Sequence, residues 1–243
     1  MTVIFLKSYS FSRSMLILHE ILDNDARHIA DLISDVYKIP AELHKEDLSS
    51  WFKPLKKFNG YWYSPEIISK KIKKEVPDKA VIILTDRDLY YGNKSADDEW
   101  IFGYCHEDKH FQVLSNARMK GKDSRPGHEL LVSYNTYMKR FDNMVIHEIG
   151  HDVIQRQHMK NAYWVNASTG IKYPLGPHCT DNKCVMYEVV EIITPPASSG
   201  YMLLGREKKF DAGLDDHIQR VYDDWFCDTC KKSMKISEEY RNK

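Results

Sequence analysis

The sequence predicts an α/β fold of the α+β type, in which a mixed, twisted β-sheet packs against helices. Residues 80–85 form an apolar run of strand length, which is typical of a strand buried on both faces. Apolar residues recur at helical spacing within residues 25–37, and a long helical pattern covers residues 129–159. Strand and helix patterns therefore alternate along one chain of 243 residues, a length that suits one large domain or two small ones.

The first part of the chain supports this fold class with two further patterns. Residues 2–7 (TVIFLK) predict a short strand ahead of the helix at residues 25–37. Residues 65–76 predict a second helix, which begins at Pro65 and ends before Pro77.

The middle and the end of the chain add strands and loops. Residues 100–104 and 111–115 flank a polar stretch and predict two adjacent strands. Prolines, glycines and small polar residues make residues 161–177 rich in turns and residues 194–200 a loop.

The composition excludes two classes of partner. The chain has 35 Lys and Arg residues against 35 Asp and Glu residues and a pI near 7.2, so it lacks the positive field that attracts nucleic acids. No apolar run approaches the roughly 20 residues of a membrane-spanning helix. Polar residues interrupt the apolar start of the chain, so we expect no signal peptide and a cytoplasmic location. The sequence does not determine the oligomeric state, and a monomer is favoured.

An HExxH motif stands inside the long predicted helix, as His147-Glu148-Ile149-Gly150-His151. Residues four apart share one face of a helix, so the two histidines can bind one Zn²⁺ at ~2.0–2.1 Å. Glu148 lies about 100° around the helix axis, where its carboxylate can act as a general base toward a metal-activated water. The motif therefore predicts a catalytic zinc site with two ligands and a base.

A catalytic zinc ion needs a third protein ligand and an open position for water. His178 is the preferred candidate, because it follows a turn-rich segment that can fold back onto the metal. His158 lies about 10 Å beyond His151 on a continuous helix, too far to bind the same ion. Glu188 and Glu191 are the alternatives, each as the carboxylate ligand of a Glu-ligated (gluzincin-type) peptidase.

Four of the five cysteines fall into two closely spaced pairs. Cys179 and Cys184 form C-x4-C, and Cys227 and Cys230 form C-x2-C, the spacing by which two loops present four thiolates to a structural Zn²⁺. A thiol-exchange pair at Cys227 and Cys230 would be expected within a βαβ unit, and the sequence predicts no such unit there. Cys105 has no partner in the sequence and is expected to pack as a small apolar residue.

The order of these motifs resembles the archaemetzincins, zinc metallopeptidases of the metzincin group. Their pattern couples HExxHxxGxxH to a Cys that follows directly, then to Cys-x4-Cys-x-Met and to Cys-x-x-Cys. The matching residues here are His147, His151, His178, Cys179, Cys184, Met186, Cys227 and Cys230. The resemblance covers residues 80–230. It implies a metzincin-like fold and places Met186 in the Met-turn that forms the floor beneath the zinc ion.

Two departures separate the chain from the family pattern. Ile154 replaces the glycine that turns the family's chain toward its third histidine, so we expect the helix to continue past this position. His178 lies 27 positions after His151 instead of six, which implies an insertion of roughly 21 residues. We expect His178 to reach the metal from a loop.

These observations predict a zinc-dependent peptidase with two zinc ions, one catalytic and one structural. Residues 1–243 would form a single domain, with the sheet and the active-site helix in residues 1–160. The third ligand, the Met-turn and the cysteine site would lie in residues 161–243. The substrate would be a peptide or protein, and the resemblance implies that residues 112–115 pair with it as an edge strand. The alternative is a non-catalytic two-zinc protein that binds or regulates.

Overall fold

The computed structural model describes residues 14–50, 54–57, 60–63, 80–91, 99–106, 111–120, 132–154, 159–165, 172–189, 200–203, 206–209 and 214–234. The predicted strand at residues 2–7 and the predicted helix at residues 65–76 lie outside these ranges. So do His158, Glu191 and most of the predicted loop at residues 194–200.

Thirteen strands and four α-helices are present in the described part of the chain. The strands are β1 (Met15–His19), β2 (Ala41–Lys45), β3 (Pro54–Lys57), β4 (Gly60–Tyr63), β5 (Val81–Thr85), β6 (Asp88–Tyr91), β7 (Glu99–Ile101), β8 (Gly103–His106), β9 (Phe111–Ser115), β10 (Lys160–Val165), β11 (Lys172–His178), β12 (Gly200–Leu203) and β13 (Arg206–Lys209). The helices are α1 (Asp23–Tyr37), α2 (Tyr134–Val153), α3 (Leu214–Ile218) and α4 (Asp228–Ser233).

A five-stranded mixed sheet forms the centre of the fold, in the order β2-β1-β5-β9-β8. Its first four strands are parallel, and β8 runs antiparallel to β9. Every residue of β1, β5 and β9 is buried, because one face packs against α1 and α2 and the other against a second apolar cluster. The predicted α+β class is confirmed, as is the strand that sequence analysis placed at residues 80–85. In the described residues, no helix is long and apolar enough to cross a membrane.

The two smaller sheets have different strand directions. The sheet β11-β10-β12-β13 is antiparallel throughout. The sheet β3-β4-β6-β7 contains one parallel pair, β4 with β6, between two antiparallel pairs.

The strand predicted at residues 111–115 is β9, but the strand predicted at residues 100–104 is interrupted at Phe102. Its first residues belong to β7 in the sheet β3-β4-β6-β7, and Gly103 and Tyr104 begin β8, which pairs with β9. The expectation that residues 112–115 form an edge strand is wrong. β9 lies between β5 and β8, so its backbone groups are already paired on both sides. β8 turns back antiparallel onto β9 and becomes the edge of this sheet among the described strands. Alternation of apolar residues predicts that a segment is a strand, whereas its place in a sheet depends on the partners that pack beside it.

Helix α2 is shorter than the predicted helix at residues 129–159. The Ser133 side chain caps its first turn by accepting a hydrogen bond from the Thr136 amide. The helix ends at Val153, and Ile154 is extended (φ −100°, ψ 126°). The expectation that the helix continues past Ile154 is therefore wrong. Ile154 is 3% exposed and forms a β-bridge with Met234, so tertiary pairing ends the helix without a glycine or proline.

Within the turn-rich residues 161–177, the described residues 161–165 and 172–177 belong to the antiparallel pair β10 and β11. Among the described strands β11 is the edge of its sheet, and an edge strand tolerates its two prolines because one side of the backbone needs no partner. Gly176 takes a φ of 84°, which favours glycine, and the pairing shifts register at Ala162 and Tyr163. His178 is the last residue of β11, so the expectation that it approaches from a loop is wrong.

Polar contacts, most of them partly buried, hold α2 against its neighbours. Asp25 of α1 accepts hydrogen bonds from the hydroxyls of Tyr134 (2.7 Å) and Tyr137 (2.8 Å). Arg140 forms a two-pronged ion pair with Asp215 of α3, each contact being 2.7 Å. These contacts fix the position of the helix that carries the HExxH motif.

Candidate metal centres

The structure brings His147, His151 and His178 together. The Nε2 atom of His147 lies 3.1 Å from the Nε2 atom of His151 and 3.1 Å from that of His178. The first two residues are one turn apart on α2, and the third enters from the end of β11. All three side chains are buried.

The hydrogen bonds of these rings determine which nitrogens face each other. Nδ1 of His147 lies 2.7 Å from the Val185 carbonyl oxygen, and Nδ1 of His178 lies 3.1 Å from the Gly176 carbonyl oxygen. A carbonyl only accepts, so each Nδ1 carries the proton, and in a neutral ring Nε2 is left with its lone pair. Two lone pairs that face each other repel unless a cation lies between them.

The spacing of the three nitrogens fits a zinc ion. Nitrogen ligands at ~2.0–2.1 Å and tetrahedral angles lie roughly 3.4 Å apart, close to the 3.1 Å separations here. Burial lowers the pKa of His147 to about 4 and that of His178 to about 3, and it lowers the pKa of His151 well below its usual value. The three imidazoles are therefore neutral at pH 7, the form that binds metal.

The lowered histidine pKa values predict that the metal-free protein is unstable in acid. Between pH 6.5 and about 4 the unfolded chain binds protons that the folded His147 and His178 do not, so stability falls as the pH falls through this window. Each histidine contributes roughly 1 kcal/mol per pH unit. Thermal unfolding of chelator-treated protein from pH 7.5 to 4 measures the slope. We expect His147→Gln to make the slope shallower, whereas an equal slope in the variant and the wild type would contradict the prediction.

Glu148 follows His147 directly on α2, and its carboxyl group is outside the group of three ligand atoms. Its side chain packs against Gly103 of β8, where an added Cβ would lie 2.8 Å from Cγ of Glu148. The surrounding protein desolvates the carboxyl group and raises its pKa to about 8 in the metal-free chain. A proton on this carboxyl is therefore held and released near neutral pH.

Met186 packs beneath the turn of α2 that carries the two ligands. A Cβ built on Gly150 would lie only 2.2 Å from Sδ of Met186, so a glycine is needed for this approach. Met186 is fully buried.

We expect Gly150→Ala to destabilise the protein by about 1–3 kcal/mol, because the new methyl group overpacks the contact with Met186. Alanine is the better helix former by about 1 kcal/mol, so a net loss of stability reports the clash. Denaturant unfolding of the two single variants and of Gly150→Ala combined with Met186→Ala forms a double-mutant cycle. The pair should be less destabilised than the two singles added together, whereas strict additivity would count against the contact.

The structure also brings the two cysteine pairs together. Sγ of Cys179 lies 3.8 Å from Sγ of Cys227, and Sγ of Cys184 lies 3.5 Å from Sγ of Cys230. Four sulfur ligands at ~2.3 Å from a tetrahedral zinc ion lie about 3.8 Å apart. Hydrogen bonds from the Cys184 and Cys230 thiols lower the pKa of Cys179, and the proton sharing raises the pKa of the two donors.

Backbone amides surround these sulfur atoms. The Cys227 amide donates to Sγ of Cys184 and the Cys230 amide to Sγ of Cys227, each at 3.4 Å, and the Asp181 amide lies 3.5 Å from Sγ of Cys179. Such donors stabilise negative charge on sulfur. The donor set therefore fits a metal ion bound by thiolates.

Two other candidates from the sequence, Glu188 and Cys105, belong to neither group of ligand atoms. Glu188 is fully buried. Cys105 on β8 is half-buried, and its Sγ accepts a hydrogen bond from Nε2 of Gln112.

Sequence analysis missed the groups that orient the histidines. The Val185 and Gly176 carbonyls belong to the main chain, so the residue types in the sequence do not indicate that these groups accept the hydrogen bonds. Gly103 appeared only as part of the segment that resembles the family, and nothing in the pattern predicts that it faces Glu148.

Comparison with known proteins supports the fold. No protein-family model and no curated protein sequence matches this chain. A match is found to the crystal structure of a zinc-dependent peptidase from Methanocorpusculum labreanum, with a TM-score of 0.55 and 15% sequence identity. The match covers 90% of this chain and 99% of the other. The chain therefore has an α+β fold similar to that of a zinc-dependent peptidase, and it carries a histidine and a cysteine group that could each hold a metal ion.

Proposed function

We propose that this chain is a zinc-dependent peptidase of the archaemetzincin type. The observation that carries the proposal is the convergence of the His147, His151 and His178 side chains, on a helix that also carries Glu148. The similarity of the fold to a zinc-dependent peptidase adds support. The three histidines would hold the catalytic zinc ion, and Cys179, Cys184, Cys227 and Cys230 would hold a second, structural one.

Zinc bound by three histidines supplies a Lewis acid that polarises a carbonyl group and activates water. The chain's own contribution to the reaction is positioning and proton transfer. Val185 and Gly176 orient two of the imidazoles through their Nδ1 protons. Glu148 accepts a proton during hydrolysis and delivers it to the leaving amine, acting as general base and then as general acid.

We infer that the substrate binds along β8, the strand that lies at the edge of the sheet in place of β9. β8 is the edge of the five-stranded sheet among the described strands, and its Gly103 packs against Glu148. An extended peptide that pairs with the backbone of β8 would pass beside this carboxyl group. The proposed substrate is therefore a peptide or an unstructured protein segment.

Two further features belong to the proposal. The whole chain, residues 1–243, would act as one domain, with the divide between its two parts near residue 160. It would act as a monomer, since the proposed site draws all its ligands from one chain.

A digest of unstructured peptides tests the proposed function. Peptides of varied sequence are incubated with the protein as purified, after chelation, and after zinc is restored, and the products are identified by mass spectrometry. We expect cleavage that chelation abolishes and zinc restores. A protein that holds two zinc ions and cleaves none of the peptides would instead be the non-catalytic binding or regulatory protein.

A further inference from the structure

The two candidate metal centres share one stretch of chain, residues 178–187, which we name the bridging segment. We propose that metal binding at the four cysteines raises the affinity of the three histidines for their own metal ion. The inference rests on the proposed function for the identity of the histidine centre. It makes the cysteine centre a positioning device for the active site.

The first connection is covalent. His178, a member of the histidine group, directly precedes Cys179, a member of the cysteine group. The Cys179 amide donates to the Met186 carbonyl at 2.9 Å, and Cys179 forms a β-bridge with Tyr187. The bridging segment is therefore a closed loop, in which a shift of Cys179 also moves His178.

The second connection passes through the backbone of Val185, next to Cys184. The Val185 amide donates to the carbonyl of Trp225 at 2.8 Å, two residues before Cys227. The Val185 carbonyl accepts the Nδ1 proton of His147 at 2.7 Å. One residue therefore links the segment of the second cysteine pair to the ring orientation of a histidine ligand.

Trp225, whose carbonyl accepts the hydrogen bond from Val185, has a backbone conformation that its bulky side chain disfavours. Its φ is 70°, in the left-handed region that a bulky side chain rarely adopts. Such a conformation persists only where the surroundings enforce it. A metal ion bound by Cys227 and Cys230, just beyond Trp225, would add such a constraint.

The third connection runs through Tyr37 at the end of α1. Its hydroxyl donates to the carbonyl of Ile146, the residue before His147 on α2. Its ring contacts that of Phe226, the residue before Cys227, with centroids 6.0 Å apart. Tyr37 therefore spans the space between the ligand helix and the cysteine centre.

These connections share one physical consequence. Without a metal ion, backbone hydrogen bonds such as that from Val185 to Trp225 still join the two cysteine pairs, but no ligand bonds fix the four sulfur atoms, so the bridging segment gains freedom. His147 then loses its fixed carbonyl partner and His178 its fixed backbone. Loss of such orienting contacts typically weakens metal binding about 10- to 100-fold. Linkage requires that metal in the histidine centre strengthens binding at the cysteines by the same factor.

Cobalt and cadmium ions test the coupling without any reaction. Cd²⁺ prefers thiolates and fills the cysteines of the metal-free wild type, after which Co²⁺ titrates the histidines and is followed by its visible absorption. We expect Cys227→Ser to bind Co²⁺ at the histidines about 10- to 100-fold more weakly than the cadmium-filled wild type. Cys105→Ser, which alters a cysteine outside both groups, should match the wild type.

The reciprocal measurement keeps all four cysteines, so it tests the coupling between the two centres even if Cys227→Ser does not fold. Co²⁺ fills both centres of the metal-free wild type but only the cysteines of His151→Gln. Excess Cd²⁺ then displaces the Co²⁺ at the cysteines, followed by loss of the sulfur-to-cobalt charge transfer, while free Co²⁺ keeps the wild-type histidines filled. We expect this displacement to be about 10- to 100-fold faster in His151→Gln than in the wild type. Equal affinities in the first comparison or equal displacement rates in the second would overturn the proposal. Coupled sites in a protein that cleaves no peptide would refute the proposed function alone, whereas independent sites in an active peptidase would refute the coupling alone.

Discussion

Glu148→Gln should lower kcat/KM for peptide hydrolysis by roughly 10²- to 10⁴-fold, with no loss of zinc. Glutamine keeps the shape of the side chain that packs against Gly103, but its amide cannot take up a proton. The residue lies outside the group of ligand atoms, so the three histidines keep their geometry. Steady-state kinetics and metal analysis of the same preparation measure the two quantities together.

Asp142→Asn is the matched control for this variant. Asp142 is another carboxylate on α2, and it bonds to His28 at 2.8 Å, away from the histidine group. We expect kcat/KM of Asp142→Asn to stay within about twofold of the wild-type value, since substitutions away from a functional site have small effects. Wild-type turnover in Glu148→Gln would rule out the proposed base, and loss of one zinc ion would show that Glu148 acts as a ligand.

The parts of the site that follow from local spacing were predictable from the sequence. His147 and His151 share a helix face because they are one turn apart, a relation that any helix imposes. The buried strand β5 followed from its unbroken apolar run in the same way. Each of these predictions required only the residue pattern within one secondary structure element.

The parts that depend on distant segments were not predictable in this way. Ile154 is compatible with a helix, and the helix ends there because Met234, 80 residues later, pairs with it. Because α2 ends at Val153, helix geometry no longer places His158 too far from the metal. His158 itself lies outside the described residues. Choosing the edge strand required knowing that β9 pairs with both β5 and β8.

The route of His178 to the metal shows the same limit. Prolines and glycines in residues 161–177 favour a loop by their local preferences, yet the described residues 161–165 and 172–177 pair as β10 and β11. The prolines fit because β11 is an edge among the described strands, and Gly176 adopts a positive φ. A histidine at the end of a paired strand is held more firmly than one in a loop, and this bears on which residue is the third ligand.

His178→Ala should weaken zinc binding at the histidine centre by at least about 100-fold and abolish peptide hydrolysis. Removing an orienting contact alone costs metal affinity about 10- to 100-fold, so removing a ligand costs at least as much. His147 and His151 would remain with Nε2 atoms 3.1 Å apart, but two ligands do not complete a zinc site. Zinc bound by four cysteines is tight enough to survive a 100-fold loss, so we expect one ion per chain in this variant.

Zinc titration of three variants separates the candidates for the third ligand. His158→Ala and Glu188→Gln should each retain two zinc ions and the wild-type affinity, because the histidine group is complete without them. Full retention of the histidine-bound ion in His178→Ala would refute this ligand set. Loss of that ion in His158→Ala would show that the chain beyond Ile154 turns back toward α2, as the end of the helix at Val153 permits. Its loss in Glu188→Gln would favour the Glu-ligated alternative.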